Sequence, residues 1–245
     1  MGVPLVPTVF DFGRKGTLPT NPALLDWLAA EFMEKGWSMR HLHWLIVTSA
    51  AYRMSSSQRG AAANLAKDPD NRHFWRREPI RIEAEVIRDS LLSLAGTLDP
   101  ERGGPPVPAS AQAASRRRSL YFFHSEIDRN LFLTTFDAAA TRECYRRDQS
   151  IVPQQALALT NSSLVLDAAG PIAERLSKGV GVQPLEETAF IRRAFAVVLG
   201  IDAGKVEIAA SQRALAAWRS QEPTGSDRSR FIWVLLNHND FVTVR

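Results

Sequence analysis

The chain has 245 residues, 45% of them hydrophobic and 23% charged, with a formal net charge of +4. A compact chain of that length buries roughly 70–75% of its unfolded surface and needs no disulfide to be stable. Its single cysteine, Cys144, excludes an internal disulfide, a Cys-x-x-Cys metal site and a Cys-x-x-Cys-His haem attachment.

Arginine supplies 25 of the 30 basic residues and lysine 5. Its planar fork suits fixed ion pairs with carboxylates. The bases alternate with acids, as in Arg76, Arg77, Glu78, Arg81, Glu83, Glu85, Arg88 and Asp89. That is unlike a one-sided nucleic-acid footprint, so no nucleic-acid partner is expected. No run approaches the roughly 18 apolar residues of a membrane span, so no membrane insertion is expected. The opening MGVPLVPTVFDFGRKG lacks the basic and apolar regions of a signal peptide.

In chain order, TNPALLDWLAAEFMEKG predicts a helix capped by Asn21, started by Pro22 and ended at Gly36, with Leu25, Leu28 and Phe32 in one stripe. Ser38 caps a second, MRHLHWLIVTSAAYRM, with Leu42, Leu45, Ile46 and Ala50 inward. Trp27, Trp37, Trp44 and Trp75 are expected in the core. His41 and His43 lie two apart and diverge on a helix, so no metal site is expected from them. The small-residue stretch from Ser55 reads as a connector.

A third helix is predicted from near Pro79 to Gly96, on a seam of Ile80, Ala84, Ile87, Leu91 and Leu94. On it Glu83 and Glu85 are expected to diverge. Pro100 to Ser110 reads as a turn-rich loop, and SLYFFH from Ser119 as the best strand. After Pro153 an apolar run including Ala156, Leu157, Val165, Ile172 and Leu176 predicts helix, divided or kinked at Gly170-Pro171. Further helices fit Glu186–Leu199, Val206–Arg219 and Asp227–Asn237, before an extended end. The fold class is mostly α: an irregular multi-helix domain with long loops and at most a minor short β element.

Around Cys144, Arg142, Arg146 and Arg147 would lower a thiol pKa, while Glu143 and Asp148 oppose them. No histidine lies between His124 and His238 to serve as a nearby base, so a structural thiol is expected. Gly-x-Ser-x-Gly, phosphate-binding glycine loops and His-Glu-x-x-His are all absent.

Several blocks in one order resemble the planctomycete PSD-one family, a domain of unknown function. They are DFGRKGTLPTNPALLDWLAAEF, WSMRHLHWLIVTSAAYRMSS, NRHFWRREPIRIEAEVIRDSLLSLAG, RRRSLYFF, TFDAAATRECYRRDQSIVPQQALALTNS, RRAFAVVLG and LLNHNDF. The match covers the whole chain, 1–245, as one domain, with 100–118 the place where it would divide internally. Asn21 stands where the family usually has histidine. The family domain also begins further upstream, so an N-terminal flank is expected to be missing.

The resemblance implies a domain found with cytochrome-c-like domains in the cell envelope or periplasm. Haem would then sit on an upstream domain, with no cofactor and no metal in this chain. The partners implied are other domains of the same polypeptide, and polysaccharide.

Residue chemistry alone nominates a polar face of Arg118, Tyr121, Asp137, Arg142 and Gln154, in a loop where binding sites often sit. Phe136 is expected to anchor that segment and Asp137 and Arg142 to fix its path, with Ala156 and Leu157 facing inward and Arg147 facing solvent. The leading function is a ligand- or partner-binding helical domain. The alternative is a hydrolase or redox-linked enzyme acting on polysaccharide, with Asp137 as acid or base. An enzyme should show converging titratable groups in a deep pocket, and a scaffold should show its arginines and acids paired.

Overall fold

The computed structural model describes residues 2–8, 10–11, 13–141, 147, 149–178, 185–221 and 226–244. Helix of all kinds makes up 53% of them, with ten α-helices and one two-stranded sheet, so the mostly-α expectation is met. The chain divides into two compact units, 1–80 with 245, and 81–244.

In the first unit α1 (Pro22–Glu34) starts as the sequence dictates: Asn21 accepts the Leu24 amide at 3.0 Å and Pro22 fills the first helical position. Gly36 and Trp37 both take positive φ, 66° and 60°, and reverse the chain into α2 (Met39–Thr48), which Ser38 caps. Phe32 and Trp37 pack edge to face at 5.3 Å. The expected core tryptophans are a correction: Trp27, Trp37 and Trp44 are exposed, and only Trp75 is partly covered, its indole donating to the Asp68 carbonyl. Leu42, Leu45 and Ile46 are half-buried, whereas Ala50 lies beyond α2 and is exposed. His41 Nε2 sits 2.7 Å from a Glu31 carboxylate oxygen. The presumed connector contains a short helix, α3 (Ala62–Lys67). Beyond it the fully buried Asn71 bonds both backbone groups of Arg76.

Ile80, the last residue of the first unit's 1–80 stretch, and Arg81, the first of the second unit, leave the predicted helical seam. Ile80–Arg81 is a strand, β1, paired with β2 (Thr243–Val244), and α4 (Ala84–Ala95) begins after it. The reason is a distant partner: β2 pairs with β1, and the Ile82 amide is taken by the Val242 carbonyl. SLYFFH is likewise not a strand. Ser119–Tyr121 is a single 3-10 turn, with isolated bridges Asp99–Arg117 and Val107–Phe122 beside it. Arg88, only 3% exposed, holds this loop from α4 by donating to the Arg117 and Ser115 carbonyls and lying 4.5 Å from the Phe122 ring. Burial lowers the Arg88 pKa, and Asp89 opposes that shift.

After α5 (Leu131–Thr135) come α6 (Pro153–Asn161) and α7 (Ser163–Ser177). The break falls at Ser162, with a 52° bend, and Pro171 sits inside α7 without dividing it. α7 is the central strut. Val165, Ala168, Ala169, Ile172, Ala173 and Leu176 are buried, and their small members let α4 and α10 (Asp227–Leu236) approach closely. α8 (Glu187–Ala194) continues into a π turn, Phe195–Leu199, ended by Gly200 at φ 69°, and α9 (Lys205–Gln221) follows. Phe190, Phe195 and Phe231 pack at 6.0–6.2 Å between ring centres. No single described helix is long and apolar enough to cross a membrane.

Candidate functional site

The expected strut takes shape around α5. Asn130 caps it by accepting the Leu133 amide, and Leu133 and Phe136 plunge into the core at 5% and 2% exposure. The helix ends in a Schellman motif. The Asp137 amide donates to the Thr134 carbonyl and the Ala138 amide to the Leu133 carbonyl, with Asp137 itself at φ 58°. Glycine is usual at that left-handed position; here an aspartate stands there.

Its carboxylate explains the choice. Arg81 donates to Asp137 Oδ2, the Ser150 amide donates to the same oxygen at 2.8 Å, and the Ser150 hydroxyl donates to Oδ1 at 2.8 Å. Gln155 completes the cluster: Oε1 accepts from Arg81 at 2.9 Å and Nε2 donates to the Ser150 carbonyl at 3.1 Å. Burial alone would push the Asp137 carboxyl up, but the Ser150 amide, the Arg81 guanidinium and the Ser150 hydroxyl outweigh it and hold the pKa below its ordinary value. An aspartate so held stays ionised and keeps its proton acceptors occupied.

Beside this cluster lies a cavity of about 390 Å³. Phe122, Phe123 and His124 form one side, Asn130, Leu133 and Thr134 another, and Asp137 to Thr141 a third, with Gln112, Ser125, Glu126 and Arg129 also lining it. The walls are held by internal bonds. Gln112 donates to the Phe123 carbonyl at 2.8 Å and accepts from Asn130 at 3.3 Å. Thr134 donates its hydroxyl proton to the Asn130 carbonyl. His124 Nε2 meets the Ala139 carbonyl at 2.6 Å. A carbonyl only accepts, so that nitrogen carries the proton and Nδ1 is an acceptor in the neutral ring.

A second cavity, of about 250 Å³ in the first unit, is lined by Leu24, Trp27, Leu28, Leu45 and other apolar residues with Ser49. It offers almost nothing to orient a ligand.

Of the four nominated residues that are described, only Asp137 lines the larger cavity. Arg118 lies 3.6 Å from Asp89 with half its side chain exposed. Tyr121 accepts the Gly103 amide and stacks under Arg117 at 4.2 Å. Gln154 is exposed, and its neighbour Gln155 is the buried member. Arg142, with Cys144 and Arg146, lies outside the described residues. Arg147 is a correction to the solvent-facing expectation. It is 28% exposed and pairs with Glu85 at 3.1 Å and Glu83 at 3.6 Å. Those two acids converge rather than diverge because Glu83 is the N-cap of α4, outside its helical turn. Ala156 and Leu157 are exposed, while Gln155 and Leu159 are the inward pair, four apart.

Sequence reasoning missed Arg81, Ser150 and Gln155, and the cavity residues His124, Asn130 and Thr134. The signal for Asn130 was present as a cap residue before LFLTT. Among the described residues no group of three or more His, Cys, Asp or Glu could hold a metal ion.

Residues 1–215 match the family model PSD1, described as "Protein of unknown function (DUF1553)". No curated protein and no solved structure matches the chain.

Proposed function

The chain belongs to the PSD1 family of proteins of unknown function, and from that premise we propose that it is a non-catalytic binding domain of a larger cell-envelope protein. The ligand is small and polar and sits in the cavity lined by Phe123, His124, Asn130 and Thr134. The cell-envelope placement rests on the resemblance between the sequence blocks above and that family.

The observation that carries the reading is the internal pairing of the charges a catalyst would need free. Asp137 is committed to Arg81 and Ser150, Asp89 to Arg118 and the Ser119 amide and hydroxyl, and Glu85 to Arg147. A general acid needs a raised pKa, and Asp137 has a lowered one. What the site offers instead is a cavity at the small end of the roughly 300–1,000 Å³ range of ligand pockets, with prefixed polar groups beside apolar ones.

The test is a thermal-melt panel of neutral sugars, sugar phosphates, amino acids and nucleosides against the parent and Thr134→Trp. Thr134 is exposed on α5, so tryptophan there fills the cavity without entering the core. At least one class should raise the parent Tm and leave the variant unchanged. A panel that shifts neither protein, or shifts both alike, contradicts the reading.

A further inference from the structure

We infer that the cavity takes a neutral, hydroxyl-rich ring, a sugar residue, with Phe123 as its stacking surface; this rests on the binding reading above.

Charge comes first. Among the described residues, Asp137 and Glu126 bring two negative charges to the lining, and Arg129 with Arg81 behind Asp137 brings two positive ones. That described lining carries no excess of either sign to favour an ionic ligand. A phosphate or a carboxylate would lose its water for little Coulombic return.

Hydrogen bonding comes second. Thr134 has spent its proton on the Asn130 carbonyl and presents lone pairs only. With its Nε2 proton directed to the Ala139 carbonyl, the His124 ring in its neutral form has an acceptor at Nδ1. Asn130 uses one amide proton on Gln112 and has a second to give. Acceptors and a donor therefore alternate around one space, all fixed by bonds behind them. A hydroxyl group donates and accepts at once, and a ring bearing several of them matches such a wall better than a group limited to one role.

Shape and polarity come third. Phe123 lines the cavity yet is 46% exposed, and Phe122, Leu133 and Ala138 continue its apolar side. A sugar ring has one face of C–H groups and an edge of hydroxyls. Stacking the C–H face on an aromatic ring while the edge meets Thr134, Asn130 and His124 uses both halves of the lining. His124, Arg129 and Thr141 are exposed at the edge of the cavity.

Isothermal titration with chitobiose, cellobiose and galactobiose, and with glucose 6-phosphate and glutamate as charged probes, tests this on the full chain. At least one neutral disaccharide should bind the parent, Phe123→Ala should weaken it about tenfold or more, and Phe123→Trp should retain it, since losing one stacking ring counts on that scale. Saturation-transfer NMR on the parent gives a readout that survives if Phe123→Ala fails to fold: the ring C–H protons of the bound sugar should receive saturation from aromatic protein protons. Binding of a charged probe alone, abolished by Thr134→Trp, overturns the sugar inference and leaves the binding reading standing. Sugar binding indifferent to Phe123→Ala, or without aromatic saturation transfer, also overturns it. No binding by any probe here or in the melt panel overturns both.

Discussion

Asp137 pays for its position. A residue with a Cβ at φ 58° is strained, by roughly 1–2 kcal/mol for an ordinary side chain and less for Asp or Asn. The carboxylate recovers more than that by satisfying Arg81 and the Ser150 amide and hydroxyl. Two substitutions separate these contributions. Asp137→Gly removes the carboxylate but accepts the backbone angle, whereas Asp137→Ala loses the carboxylate and keeps the strain. Both should lower stability in urea melts, with Asp137→Ala the worse by about 0.5–1 kcal/mol. Equal midpoints would mean that the Schellman turn relaxes when the anchor goes. Residue chemistry made Asp137 legible in the sequence, flanked as it is by Phe136 and a polar cluster. Its partners were not, because Arg81 and Asp137 are 56 positions apart and no local pattern joins them. Gln155 rather than the nominated Gln154 joins the cluster because the inward face of α6 runs through Gln155 and Leu159, four apart, and leaves Ala156 and Leu157 exposed.

The elements owe their ends to local chemistry, and there the sequence was readable. Asn21, Ser38, Gly96 and Pro153 each cap, start or stop a helix as their side chains require. It failed where a tertiary partner outbid the local pattern. The seam through Ile80 was continuous, yet Ile80–Arg81 pairs as strand with Thr243–Val244. SLYFFH has strand composition, but beside the single bridge Val107–Phe122 its first residues close into a 3-10 turn held by Arg88. Removing that hold is a direct test of the loop's dependence on α4. Arg88→Met should cost about 3 kcal/mol or more, because the Arg117 and Ser115 carbonyls and the Ser119 hydroxyl lose a buried donor. Hydrogen exchange should rise in residues 107–123 before it rises in α7. Arg147→Ala should cost about 1–2 kcal/mol through its two carboxylates, more than the tenths of a solvent-facing arginine.

At the scale of the whole molecule, apolar burial is concentrated in the second unit. All the buried hydrophobic residues belong to 81–244; among the described residues of the first unit only polar side chains, Asn71 and Arg76, are buried. Local stability follows buried contacts, so amides of α1 and α2 should exchange much faster than those of α4, α7 and α10 in native-state hydrogen exchange. Uniform protection across both units would contradict that. The central claim is that Asp137 is a charged structural anchor beside a binding cavity, and one measurement addresses it most directly: urea stability of the parent and Asp137→Asn across pH. Asparagine tolerates the backbone angle, so the comparison isolates the charge. The Asp137 pKa is lower folded than unfolded, so its contribution is fully present above about pH 4 and is lost as pH falls through the folded value. The account predicts that Asp137→Asn is about 1–3 kcal/mol less stable at pH 7 and that the gap closes in acid. A variant that melts like the parent at pH 7 would contradict it and return Asp137 to the role of a free acid or base.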